Sequence, residues 1–108
     1  MATQAAPQSA QNDPTRVDAK HYRVELDNDR VRVLRAQYGP REKSTMHAHP
    51  DLVCVMLTDG HIRMSYPDGR TEEIVAKAGD VMQMPATVHL PENLGDHTFE
   101  VVLIEFKR

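Results

Sequence analysis

Six histidines are spread through the 108 residues, and two of them, His47 and His49, stand two positions apart. In an extended strand alternate side chains share a face, so a strand over residues 44–49 aims both imidazoles the same way. His89 falls in a second short extended segment, residues 87–90, after a Gly79 turn and Pro85, where a neighbouring strand could bring it beside the first two. Three neutral imidazoles on a rigid sheet occupy one face of a divalent metal and leave its other positions to water or substrate. Imidazole suits zinc, copper, iron and nickel alike, so these residue types do not select the ion. Cys54 is the only cysteine, which excludes an intrachain disulfide and leaves any metal to nitrogen and oxygen donors.

The elements that must position these residues read as strands. From about Arg16 onward, short runs of alternating β-branched and polar residues are punctuated by Gly, Pro, Asn and Asp. Tyr22, Val24 and Leu26 alternate, Asp27-Asn28-Asp29 supplies turn chemistry, and Val31 and Val33 resume, which predicts a hairpin. Residues 52–57 are a solid apolar run, Asp59-Gly60 is a turn dipeptide, Ile62, Met64 and Tyr66 alternate, and Pro67-Asp68-Gly69 turns the chain again. Ile74-Val75, residues 81–84, 87–90 and 99–106 complete eight or nine short strands, with no sustained helical period. So many strands and tight turns in one small chain suit a closed or double-sheet jelly-roll barrel, with an open immunoglobulin-type sandwich as the rival. Residues 1–15 lack bulky apolar side chains and are expected to form a loose tail before a barrel over residues 16–108.

Composition narrows the function classes. Hydrophobic residues make up 40% and charged residues 27%, as in a single globular domain that folds by burial. Thirteen basic against sixteen acidic residues give a formal charge of −3 with no basic face or run, so no nucleic-acid partner is expected. No apolar stretch is long enough to span a bilayer, so no membrane partner is expected either. No basic segment followed by an apolar run opens the chain. The cytoplasm is therefore the expected compartment, and the periplasm stays open if a signal has been removed.

Two stretches carry a family resemblance. Residues 39–60, GPREKSTMHAHPDLVCVMLTDG, resemble the first motif of the cupin superfamily, a His-x-His followed by an acidic residue and a glycine turn. Residues 79–93, GDVMQMPATVHLPEN, look like the second, with glycine, proline, histidine and asparagine in order; together the motifs cover about a third of the chain. The resemblance implies a double-stranded β-helix barrel, with His47, His49 and His89 at the family's metal positions. It also implies one divalent transition metal, with iron, nickel, zinc and manganese as candidates.

The motifs depart from the family pattern at two places. Val53 stands where the family commonly has a glutamate ligand, and Ala86-Thr87 where a glycine follows the proline. Asp51 is a possible substitute ligand if the strand runs straight, but Pro50 predicts a bend there. Three neutral ligands leave the full dipositive charge uncompensated, which makes the ion a stronger Lewis acid and favours anionic, chelating ligands.

Cupins with a similar three-histidine set act as iron dioxygenases on diketones or thiols, so dioxygenase-type chemistry on a small molecule is the leading expectation. A metal-assisted isomerase or lyase is a second. Metal-free relatives serve as epimerases or sensory modules, so the three imidazoles could instead be satisfied by hydrogen bonds in a non-catalytic ligand-binding barrel. Small cupins also resemble domains that dimerise, which makes a homodimer expected, with residues 22–38 offering the edge; the same solvated alternation suits a monomer. Met46, Met82 and Met84 are candidates for core or for a flexible pocket wall. Gln83, Tyr66 and Cys54 are candidates to reach the cavity. Glu92 and Asn93 are either outer partners of His89 or exposed loop. His61 and His97 are expected in solvent.

Overall fold

Turn chemistry cuts the chain where the residue types demand it. The Asn28 side chain accepts hydrogen bonds from the backbone N–H of Arg30 (2.8 Å) and Val31 (3.0 Å), closing the first hairpin. Asp68 accepts from the N–H of Arg70 at 3.0 Å beside Gly69, whose φ is 91°. Asp80 accepts from the N–H of Lys77 at 2.8 Å around Gly79, whose φ is 90°. Open space surrounds the position a Cβ would take at Gly79. Gly79→Ala therefore carries only the backbone cost of a left-handed conformation, about 1–2 kcal/mol. Urea denaturation should show a lower midpoint with an unchanged slope.

The computed structural model describes residues 8–108. Between the turns run nine strands: β1 (Tyr22–Asp27), β2 (Val31–Tyr38), β3 (His47–His49), β4 (Leu52–Met56), β5 (Gly60–Ser65), β6 (Thr71–Ala76), β7 (Val81–Met84), β8 (Thr87–Asn93) and β9 (Phe99–Phe106). They form a five-stranded sheet in the order β1-β2-β9-β4-β7 and a four-stranded sheet in the order β3-β8-β5-β6. Neighbouring strands pair antiparallel throughout. This is the expected all-β jelly-roll arrangement, in which inner faces alternate with outer ones along each strand. Leu34, Ala36 and Tyr38 of β2, Leu52, Cys54 and Met56 of β4, and Phe99, Val101 and Leu103 of β9 point into a common core. β1 is an edge strand and is exposed after Tyr22.

Of the loose tail expected over residues 1–15, the structure describes residues 8–15. Residues 1–7 lie outside the described residues, but residues 8–15 are seated on the barrel. The carbonyl of Asn12 accepts the N–H of Ala48 at 2.8 Å, and the Gln8 side-chain amide donates to the Ala48 carbonyl at 2.8 Å. Asp13 caps a single helical turn, α1 (Pro14–Val17), by accepting from the N–H of Thr15. Composition does not show this because the segment is held largely by hydrogen bonds to the free edge of β3, with Pro14 its one fully buried residue.

Candidate metal centre

β3 pairs antiparallel with β8 so that His47 lies opposite His89 and His49 opposite Thr87. Opposed residues of an antiparallel pair share a face, and His49, two residues from His47, shares it too. The three rings are buried and lie with centroids 4.8 Å (His47–His49), 4.9 Å (His47–His89) and 5.1 Å (His49–His89) apart. One ligand atom of each lies within 4.8 Å of the other two, so the group could hold a metal ion.

Their partners decide which nitrogens are available. His47 Nδ1 is 2.8 Å from the carbonyl of Thr45, which can only accept; Nδ1 therefore carries the proton, and Nε2 holds a lone pair. The Tyr22 hydroxyl lies 3.2 Å from that Nε2. His49 Nδ1 is 2.6 Å from Glu105 Oε2, which in the same way leaves His49 Nε2 as the open donor atom. His89 differs from both, because its two ring nitrogens are buried with no hydrogen-bond partner among the described residues. A buried polar group without a partner costs about 1–3 kcal/mol, so an orphaned ring beside two further imidazoles asks for a ligand.

Electrostatics keep two of the donors, His47 and His89, neutral. Burial, then the neighbouring His49, depresses His47 to about 3. Burial, then His49 and His47, holds His89 well below the ordinary histidine range. Neutral imidazoles are what metal ligation requires. Burial raises the Tyr22 and Tyr38 hydroxyls above the usual tyrosine range and pushes the Cys54 thiol up to about 11. These groups therefore remain protonated at neutral pH. The donor set fits a divalent transition metal: three imidazole nitrogens lie within 4.8 Å of one another, and one ring finds no hydrogen-bond partner among the described residues.

A cavity of about 50 Å³ adjoins the cluster, lined by His49, His89, Tyr22 and Cys54 among mostly apolar side chains. Met82 and Met84 line it while also packing against the core, so they serve both of the expected uses; Met46 is not on its wall. Of the three residues named as candidates to reach the cavity, only Cys54 does. Gln83 is exposed, and the Tyr66 hydroxyl donates to Glu72 at 2.8 Å. Val53, at the family's glutamate position by spacing, is not on the wall either, because β4 turns Leu52, Cys54 and Met56 inward.

Asp51 is no substitute ligand. One oxygen accepts the N–H of Ala86 at 3.0 Å and the other pairs with Arg108 at 3.2 Å, fixing the turn before β8. Glu92 and Asn93 are not partners of His89. Glu92 faces Arg63 at 3.8 Å, and buried Asn93 donates to the carbonyls of Tyr38, Gly39 and His97. His61 and His97 are exposed, as expected.

Four polar residues around the site were not foreseen from the sequence: Tyr22, Ser44, Asp18 and Glu105. Ser44 Oγ lies 3.0 Å from His47 Nδ1 and donates to Asp18 Oδ2 at 2.8 Å. Glu105 had a legible signal, since it occupies the inward phase of Phe99, Val101, Leu103 and Glu105, where an apolar residue is the ordinary choice. Tyr22 had none, because its alternation with Val24 and Leu26 reads as plain strand.

Comparison with known proteins agrees with this architecture. The family model described as a cupin domain matches residues 34–105. Among solved structures, a cupin domain from Bordetella pertussis Tohama I is 26% identical over 100% of this chain and 99% of its own, with a TM-score of 0.74. A conserved protein with a double-stranded β-helix domain from Klebsiella pneumoniae is 23% identical, covering 77% of this chain and 72% of its own, with a TM-score of 0.62. A Cupin 2 conserved barrel domain protein from Salinispora arenicola is 20% identical over 99% of this chain and 91% of its own, with a TM-score of 0.61. No curated protein matches the chain in sequence.

Proposed function

The chain belongs to the cupin domain family, and from that premise we propose that it binds one divalent transition metal on His47, His49 and His89 and acts as an enzyme on a small oxygen-bearing or anionic molecule. Dioxygenase-type oxidation is the leading reaction. The observation that carries the reading is His89, whose two buried nitrogens have no hydrogen-bond partner among the described residues while His47 and His49 each offer a ligand atom within 4.8 Å of it.

A metal in this position supplies Lewis acidity and, if it is iron, electrons for dioxygen. The rest is done by the chain's own residues. Two of the three rings are held in one tautomer, so their lone pairs are aimed before any ligand arrives. The largely apolar wall keeps bulk water away and strengthens every electrostatic contact inside. The Tyr22 hydroxyl, protonated at neutral pH, is the group placed to donate a hydrogen bond to an oxygen of the bound molecule.

The test combines elemental analysis with oxygen uptake. Purified protein with any affinity tag removed should carry near-stoichiometric metal, and iron-loaded protein should consume oxygen with small chelating enols or thiols. Turnover of such compounds without oxygen uptake would move the assignment to an isomerase or lyase. Protein that comes out empty and refuses iron, nickel, zinc and manganese would leave a ligand-binding barrel and end the enzymatic reading.

A further inference from the structure

We propose that Glu105 is the positioning residue of this centre: its carboxylate fixes the His49 ring and supplies, from outside the ligand set, the negative charge that three neutral imidazoles lack. The inference rests on the metal reading above.

Glu105 is 2% exposed on the core face of β9. A carboxylate there is costly, and well-packed apolar residues commonly replace buried ion pairs with no loss of stability. Its contacts are directed on both sides. Oε2 meets His49 Nδ1 at 2.6 Å, and Oε1 accepts from Arg32 Nε at 2.9 Å. Arg32 in turn donates to Asp13 Oδ2 at 2.8 Å. Two carboxylates and one guanidinium leave this chain with one net negative charge, and it abuts the ring of a proposed ligand.

The same N-terminal segment braces the ligand strand itself. Asn12, next to Asp13, receives the N–H of Ala48, the residue between His47 and His49. Segment 8–17 and Glu105 thus hold β3 from its free edge and from behind its second histidine. A carboxylate behind a metal-bound imidazole raises its basicity and fixes its orientation. Among the described residues no carboxylate belongs to the three-histidine group itself, and this outer one is in direct contact with it at 2.6 Å.

The test is cobalt(II) binding by competition against a chromophoric chelator, first on the parent protein, then on Glu105→Gln. Glutamine keeps the size and an acceptor oxygen but removes the charge. Affinity should fall on the order of 10–100-fold, and the visible absorption band of the bound cobalt should shift. A purely structural role would leave that band in place once the variant is folded.

Asp13→Asn keeps the Glu105–His49 contact while removing one outer charge, and should weaken cobalt binding by roughly 3–10-fold, less than Glu105→Gln does. It decides the matter alone if Glu105→Gln does not fold. Parent-like affinity and an unshifted band in the folded variants would overturn the proposal and leave the metal reading standing. A parent that takes up no cobalt would overturn both.

Discussion

His89→Ala protein is expected to be isolated free of metal and to match its parent in thermal stability only when both are metal-free. In the absence of metal the His89 ring is buried with two unsatisfied nitrogens, a cost of about 1–3 kcal/mol. Alanine removes that cost and loses packing of similar size, so the metal-free proteins should melt within a few degrees of each other. With metal the balance changes. A ligand that binds only the folded state stabilises it by about 4 kcal/mol at 1,000 times its dissociation constant, which raises the melting temperature of a domain this size by more than about 15 °C. The variant should bind more than about 100-fold more weakly, since loss of even an outer partner costs 10–100-fold, and should show at most about a third of that rise. Paired scanning calorimetry with and without zinc reads both effects. Equal metal-induced shifts in parent and variant would remove His89 from the ligand set.

Metal-stripped parent should also be acid-labile well above the pH at which carboxylates protonate. His47 titrates at about 3 in the fold against an ordinary value of 6.5, because burial and then His49 disfavour its charge. Between those two values the unfolded chain binds a proton that the folded chain does not, so stability rises with pH in this window. The contribution is complete above pH 6.5 and is lost as pH falls toward 3. Each such histidine contributes up to about 1.4 kcal/mol per pH unit, so His47 alone removes about 5 kcal/mol across the window. His89 is displaced in the same direction and adds to the loss. A domain of this size has only about 5–15 kcal/mol to lose. Urea denaturation of chelator-treated protein at pH 7, 6, 5 and 4 should therefore show a steep decline, and a flat profile over that range would contradict the burial of neutral imidazoles. Acid should release metal from the loaded protein over an overlapping range, because protons compete for the same lone pairs.

Much of the fold and the core of the site were legible in the residues. Period-2 alternation is a local property, so Tyr22, Val24 and Leu26, or Ile62 and Met64, announce strands wherever they finally pack. Turn chemistry is local too, which is why Asn28, Gly69 and Gly79 stand at turns. The shared face of His47 and His49 follows from the same two-residue period.

Tertiary structure decided what depends on register and on charge satisfaction. The pairing of His47 with His89 joins residues 42 positions apart and depends on how β3 meets β8. A one-residue slip would turn His89 to the other face. The same alternation, counted from the true start of β4, puts Cys54 rather than Val53 on the cavity wall. Glu105 meets His49 across 56 residues, and Asp13 reaches Arg32 across 19. A buried charge is tolerated only where its partner arrives, and that arrival is a property of the assembled barrel, not of any stretch of chain.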